Sequence, residues 1–255
     1  MKRTLVAAWV VGICMMGWGV EAMAQQAEAQ FRVLLEVYIA PGTAEEFEAA
    51  SKDRTARMVA GNVDFGRLAS VSEDGVYRFM TQLGEEFSSV AEWREQLAGM
   101  PSVTVSPVGI IDHVDRSIWQ LRPDLSLAQW STVPLNSPRI DGAEIGFLHE
   151  IRFYPKFGRA PEVADILRRI TALAVSRDLN GRRLVAELVV GPEAPVFSLV
   201  FLARDPEDYY AQRARDRETM GEEFQELVNQ VLRLCRNVEQ ENYTRRRDLD
   251  YQPSN

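Results

Sequence analysis

Two apolar segments of the sequence each carry one glutamate two residues after a leucine. In a strand this spacing places the carboxylate on the same face as the leucine, where acid–base chemistry could occur. Glu36 lies two residues after Leu34, and Glu150 lies two residues after Leu148. Because successive side chains of a strand point to opposite faces, residues two apart share a face. A pair of carboxylates buried on such a face would have shifted pKa values and could transfer protons.

The candidate site residues on the face that these glutamates share are Glu36, Tyr38, Glu150, Arg152 and Tyr154. We expect their side chains to point away from the helices and into the interior of the folded chain, where they would contact a ligand. A structural role is the simpler alternative, in which Glu150 pairs with Arg152 and Glu36 is hydrated at a rim. None of the five is assigned as catalytic.

The sequence contains only two histidines, which restricts metal and nucleophile chemistry. His113 has aspartates at 112 and 115, but no cysteine or second histidine joins it, so we expect solvated residues at a strand end. His149 alternates with apolar residues on the opposite face of its strand. A hydrogen-bonded core histidine is therefore favoured over a haem ligand. We predict no metal site and no cofactor.

No catalytic motif is present. The sequence lacks a glycine-rich phosphate loop, a G-x-S-x-G turn, an H-E-x-x-H zinc motif and a C-x-x-C pair. A repeated Arg-x-Asp-Leu begins at Arg122 and Arg246. We expect a turn at each, in which the aspartate holds the arginine.

The chain matches itself along its length. The segment 34–38 matches 148–152 at an offset of 114 (148 − 34), which places Glu36 opposite Glu150. Residues 119–125 match 243–249 at an offset of 124 (243 − 119). Growing offsets indicate insertions in loops. The sequence therefore predicts two diverged copies of one unit.

The periodicity of each copy predicts strand, helix, strand, strand, helix, strand. The first strands are expected at 32–39 and 146–154, and the helices that follow at 44–60 and 160–177. Asp74-Gly75 is typical of a hairpin turn. Such a βαββαβ unit carries both helices on one face of its sheet and leaves the other face bare. We predict an α+β fold in which the two antiparallel sheets pack face to face as an intrachain barrel, so no homo-oligomer is required.

The segment 36–47, E-V-Y-I-A-P-G-T-A-E-E-F, resembles the first strand, Pro-Gly turn and acidic helix start of NIPSNAP-like and antibiotic-monooxygenase-like proteins. Over both copies the pattern resembles the dimeric α/β-barrel superfamily of ferredoxin-like domains in its tandem form. This resemblance implies a barrel whose interior binds small organic ligands. Some members of that superfamily are cofactor-free oxygenases and others are haem enzymes.

The amino terminus has the pattern of a secretory signal. Lys2 and Arg3 precede a mostly apolar stretch, and Ala22-Met23-Ala24 is a small-x-small cleavage pattern. We expect cleavage after Ala24 and a periplasmic or secreted protein. The predicted organisation is a signal peptide at 1–24, a first ferredoxin-like repeat at 25–125, a linker at 126–143 and a second repeat at 144–255.

The composition restricts the partners. The net charge of −8 argues against nucleic acid, because an acidic chain repels phosphate backbones. After the signal, no stretch reaches the roughly 20 apolar residues that a membrane span needs. Cys235 is then the only cysteine, so no intrachain disulfide is expected.

Three hypotheses for the function remain. The leading one is an exported protein that binds a small organic ligand in the barrel interior. The second is a cofactor-independent oxygenase or isomerase that uses Glu36 or Glu150 as a base. The third is a structural interaction module, which predicts an apolar outer patch and no cavity. The sequence leaves open whether the chain is an enzyme.

Overall fold

The computed structural model describes residues 30–99, 109–127, 144–179 and 183–253. The predicted signal peptide at 1–24 lies outside the described residues, as does most of the predicted linker, 128–143. In the described part, the order strand, helix, strand, strand, helix, strand occurs twice.

The strands and helices fall into two halves of the chain. The first half contains β1 (Phe31–Ile39), α1 (Ala44–Ala60), β2 (Arg67–Ser72), β3 (Tyr77–Gln82), α2 (Ser89–Gly99) and β4 (Ile111–Leu121). The second half contains β5 (Phe147–Pro155), α3 (Ala160–Ser176), β6 (Arg183–Val190), β7 (Phe197–Ala203), α4 (Pro206–Leu234) and β8 (Cys235–Arg245).

The helices form where an apolar stripe and favourable ends coincide. In α3 the stripe is regular, and Val163, Leu167, Ile170 and Ala174 are all buried against the sheet. The stripe of α1 is weaker, with buried residues that include Ser51. Acidic residues in the first turn of α1 complement the helix dipole there and favour the start of the helix.

The eight strands form one closed antiparallel barrel in the order β1-β3-β2-β8-β5-β7-β6-β4. Within each half the order is that of a ferredoxin-like sheet, β4-β1-β3-β2 and β8-β5-β7-β6. The sheets join at both edges, where β2 pairs with β8 and β4 pairs with β6. The barrel therefore leaves no edge of its own open to further strand pairing. The predicted α+β fold of two tandem ferredoxin-like units is confirmed.

The backbone hydrogen bonds define which positions of the two halves are equivalent. The amide of Leu121 donates to the carbonyl of Gln30 at 2.8 Å, and the amide of Arg245 donates to the carbonyl of Gly146 at 2.9 Å. Since Leu121 and Arg245 are equivalent at the predicted offset of 124, Gln30 is equivalent to Gly146, at an offset of 116 (146 − 30).

The predicted offset of 114 for the first strand is therefore wrong by two residues. Glu36 is equivalent to Arg152 (152 − 36 = 116), and Glu150 is equivalent to Leu34 (150 − 34 = 116). The short Leu-x-Glu similarity misaligned the strands by one pleat. A shift of two keeps every side chain on its face of the sheet, so the predicted interior positions are unaffected.

Each half ends in a short 3₁₀ turn that lies on the other half. The carbonyl of Leu125, after β4, accepts hydrogen bonds from Thr171 at 2.8 Å and Arg183 at 3.4 Å in the second half. The carbonyl of Leu249, after β8, accepts from Arg67 of the first half at 3.0 Å. Both leucines are fully buried. The ends of the two halves are thus exchanged, in addition to the strand pairing.

These turns contain the repeated Arg-x-Asp-Leu. Asp124 accepts from Arg122 at 3.0 and 2.9 Å, and Arg122 also forms an ion pair with Glu187 of the second half. Asp248 holds Arg246 in the same way, at 3.0 and 2.9 Å. The motif therefore shapes the turn and fastens it to the opposite half.

In the part of the chain that the structure describes, no helix is both long enough and apolar enough to cross a membrane.

Candidate functional site

A cluster of charged residues lies inside the barrel where the two halves meet. Glu36 on β1 and Glu150 on β5 are bridged by Arg78 from β3, which donates to Glu36 at 2.8 Å and to Glu150 at 2.6 Å. Arg152 on β5 bridges the same two carboxylates, at 2.8 Å to Glu36 and 3.1 Å to Glu150. We call these four residues the ionic cluster. It balances two negative and two positive charges.

The surroundings of the ionic cluster complete its hydrogen bonds. The hydroxyl of Ser198 on β7 donates to Glu150. The guanidinium of Arg78 lies over the ring of Tyr243 on β8, 3.9 Å from its centroid, a cation–π contact. Glu150 is 4% exposed and Arg78 is 7% exposed. Such a buried charge is tolerated only when it is paired and hydrogen-bonded.

Both glutamates are held in the charged form. Burial alone would raise the pKa of Glu150, but the guanidiniums of Arg78 and Arg152 and the Ser198 hydroxyl lower it to about 2. The pKa of Glu36 is also lowered, since the same two arginines outweigh its burial. A general base works best with a pKa near the operating pH, so neither carboxylate is tuned for that role.

These pKa shifts predict that the folded chain loses stability at acid pH. The folded-state pKa of Glu150, about 2, lies below an unfolded value of about 4.3, so its contribution is complete above pH 4.3 and is lost as the pH falls towards 2. The full effect is roughly 3 kcal/mol. We expect the difference in unfolding free energy between wild type and Glu150→Gln, from urea titrations at several pH values, to narrow over this range. A difference that stays constant from pH 7 to pH 2.5 would contradict the assigned shift.

The predicted site residues separate into two groups. Glu36, Glu150 and Arg152 come together in the ionic cluster. Tyr154 instead donates its hydroxyl to Glu239 at 2.5 Å. Tyr38 stacks on the ring of His113, with centroids 3.9 Å apart.

Arg78, Ser198 and Tyr243 were not predicted from the sequence. The sequence contains one indication that Arg78 is unusual, because it is a charged residue between Tyr77 and Phe79 in a strand that is mostly buried. Its parity on β3 is that of the interior face, but only the folded chain shows that it reaches a glutamate of the other half.

An apolar cavity of about 100 Å³ adjoins the ionic cluster inside the barrel. Its walls are mostly aliphatic or aromatic, and its polar lining includes Glu150, Ser198, Arg32 and Arg245. Burial lowers the pKa of Arg32 to about 9, so its side chain is still a cation at neutral pH. Arg245 is paired with Asp250 at 2.6 Å. The interior thus offers an apolar space with charged groups at its boundary.

The two histidines lie apart from this cavity. His113 is exposed, and its Nδ1 lies 2.9 Å from the carboxylate of Asp112. His149 is buried, and its Nδ1 donates to the side-chain oxygen of Asn242 at 2.8 Å. Burial lowers its pKa, so the ring is neutral at pH 7. Within the described ranges, no group of three or more histidine, cysteine or acidic side chains is arranged to hold a metal ion.

A second, larger cavity of about 320 Å³ lies outside the barrel, between α3, α4 and the sheet of the second half. Haem iron in proteins takes an axial histidine, cysteine, methionine or tyrosine. Of the described residues that line this cavity, Tyr209 is the single one of these types, and burial raises its pKa, which disfavours the phenolate. The lining does not fit haem.

No family model and no curated protein matches this sequence. Solved structures do match its fold. An anthrone oxidase-like protein is 13% identical, with a TM-score of 0.56, over 86% of this chain and 92% of that one. A putative monooxygenase from Fusobacterium nucleatum is 10% identical, with a TM-score of 0.55, over 86% of this chain and 93% of that one. A mutant chlorite dismutase from Candidatus Nitrospira defluvii is 9% identical, with a TM-score of 0.50, over 86% and 92%.

At such identities the likeness concerns the path of the backbone and carries no residue-level roles. The barrel order, the two ferredoxin-like halves and these neighbours agree. The chain has the dimeric α/β-barrel fold, with both units on one polypeptide.

Proposed function

We propose that this chain is an exported protein that binds a small organic ligand inside its barrel. The observation that carries the proposal is the apolar cavity beside the ionic cluster. A well-packed interior has few voids larger than a water molecule. A barrel of eight strands is also just wide enough to hold one small ligand. A barrel filled with side chains would have contradicted the proposal.

The walls define the class of ligand. Leu34, Met80, Leu148 and Val200 are among the apolar residues that enclose most of the cavity, so the body of the ligand is apolar. The cavity is smaller than the apolar cavity of about 150 Å³ that binds benzene, so the ligand is at most about the size of a single ring. The Ser198 and Glu150 side chains at the boundary favour a ligand with one hydrogen-bonding group.

The export is proposed from the sequence of residues 1–24. The positive start, the apolar stretch and the cleavage pattern at Ala24 support it. An exported binding protein needs no catalytic motif, and the sequence contains none of the motifs considered above.

The oxygenase or isomerase alternative has weaker support from the site. It required Glu36 or Glu150 as a base, and the arginines lower the pKa of both. The interaction-module alternative required an interior without a cavity. The ligand-binding hypothesis therefore accounts best for the geometry.

Filling the cavity tests the proposal. Val200→Phe, on the cavity wall, is expected to abolish the rise in melting temperature that single-ring organic compounds produce in the wild type. The measurement is a thermal-shift screen of the mature chain, followed by calorimetric titration of each hit.

The matched control is Val189→Phe, the same change at a residue of β6 that is 43% exposed. It should retain binding. Hits that bind Val200→Phe and wild type equally would refute the interior site, and a complete screen without any hit would refute ligand binding of this class.

A further inference from the structure

The larger cavity outside the barrel is lined by residues that take no part in the proposed barrel site. Helix α4 forms its roof and the outer face of β5 and β7 forms its floor. The helix breaks at Gly221, where φ is +64° and ψ is −154°. Arg213 and Arg217 reach the cavity from the segment before the break, and Phe224 and Val228 reach it from the segment after.

Most of the wall is apolar. Phe153, Leu199 and Phe201 of the sheet face Phe224 and Val228 of the helix across the cavity. Aliphatic and aromatic surfaces of this kind bind flat hydrocarbon bodies. A void of about 320 Å³ is also far larger than the gaps that close packing leaves in protein interiors.

Three arginines interrupt this apolar wall. The guanidinium of Arg183 donates to Thr171 and to the carbonyl of Leu125, and the other two are Arg213 and Arg217. The guanidinium of Arg213 lies 4.5 Å from the centroid of Phe201 and 5.9 Å from that of Phe224. Its Nε is buried without a hydrogen-bond partner among the described residues. Arg217 follows one turn later and is exposed at the edge of the cavity.

Among the described residues, Arg213 and Arg217 have no carboxylate in direct contact. Arg213 is hydrogen-bonded to the side chain of Tyr209, and Asp216 acts on its charge at longer range. The described lining of the cavity contains no acidic residue. The nearby carboxylate of Asp216 instead accepts from Gln212. A partly buried guanidinium whose Nε has no hydrogen-bond partner gains most from an anion, because charge-assisted hydrogen bonds are the strong ones.

We propose that this outer cavity is a second binding site, for a small aromatic anion such as an organic carboxylate or sulfonate. The ring system lies against Phe201 and Phe224, and the anionic group pairs with Arg213. Arg217, at the edge, attracts the anion before it enters. This outer site shares no lining residue with the barrel cavity, so its test does not depend on the ligand proposed for the barrel interior.

A matched pair of fluorescent probes tests this on the mature full-length chain. 8-Anilinonaphthalene-1-sulfonate carries the anion, and N-phenyl-1-naphthylamine is the same ring system without it. We expect Arg213→Gln to weaken binding of the sulfonate roughly tenfold, the size of a lost charged hydrogen bond, and to change binding of the amine less than about twofold. Val228→Phe, which fills the cavity, should weaken binding of both probes.

Arg215→Gln is the control, because Arg215 is an exposed arginine of the same helix and contacts Gln212 outside the cavity lining. It should leave both affinities unchanged. The melting temperature of each variant shows that it is folded. Sulfonate affinity that is equal in wild type and Arg213→Gln would overturn the proposal. So would binding that Val228→Phe leaves intact, or a wild type that binds neither probe.

Discussion

Replacing Glu150 by glutamine is expected to lower the free energy of unfolding by about 3–5 kcal/mol, the usual cost of breaking a buried ion pair. The variant leaves Arg78 and Arg152 with Glu36 as their only carboxylate in the ionic cluster. An excess positive charge is then confined where Arg78 is 7% exposed. Urea denaturation at pH 7, followed by tryptophan fluorescence and circular dichroism, measures the change.

Two further variants make this result specific. Glu162→Gln removes an exposed ion pair with Arg159 and should cost less than about 1 kcal/mol. The double variant Arg78→Met, Glu150→Leu removes one charge of each sign and should be less destabilised than the sum of its single changes. A loss below about 1 kcal/mol for Glu150→Gln alone would mean that water or a movement of the arginines compensates the charge.

Separating the two halves is expected to remove the monomeric fold altogether. A half expressed alone, ending or beginning within 126–143, exposes two unpaired sheet edges and the bare inner face of its sheet. It also loses the part of the other half on which its terminal turn lies. In the second half, for example, the carbonyl of Leu249 no longer accepts its hydrogen bond from Arg67. Each half should be insoluble or should dimerise, as size-exclusion chromatography with light scattering would show.

The complementary experiment keeps the chain intact until it has folded. A protease site inserted into the linker allows the folded protein to be cut, and the two fragments should remain together as one particle. Fragments that separate under native conditions into stable monomers would contradict the interlocked arrangement. An uncut sample of the same insertion variant is the control for the insertion itself.

Much of the fold follows from local patterns that the sequence displays. The stripe of α3 and the Asp-Gly turn after β2 each have a short-range cause, and both elements form where they were predicted. The alignment of the two first strands failed because a five-residue similarity cannot distinguish a register from its neighbour two residues away. Only the hydrogen bonds to β4 and β8 fix that register.

The sequence predicted on which face of the sheet the site residues lie, but it did not predict which residues they contact. Alternation alone placed Glu36, Glu150 and Arg152 towards the interior, and they meet there. That Arg78 bridges both glutamates depends on how two sheets close into a barrel, which no local pattern encodes. The outer cavity is lined by residues of α4 on both sides of the break at Gly221, and that break was not predicted from the sequence.

The equivalence of Glu36 with Arg152, and of Leu34 with Glu150, has a consequence for recognition. A barrel assembled from two identical chains presents the same wall twice, so a ligand on its axis can bind in two indistinguishable poses. Here one wall carries Leu34 where the other carries Glu150. A guest with two different ends would therefore have a single preferred orientation inside this barrel. Joining the two units in one polypeptide removes the twofold degeneracy of binding poses that a symmetric pair imposes at its centre.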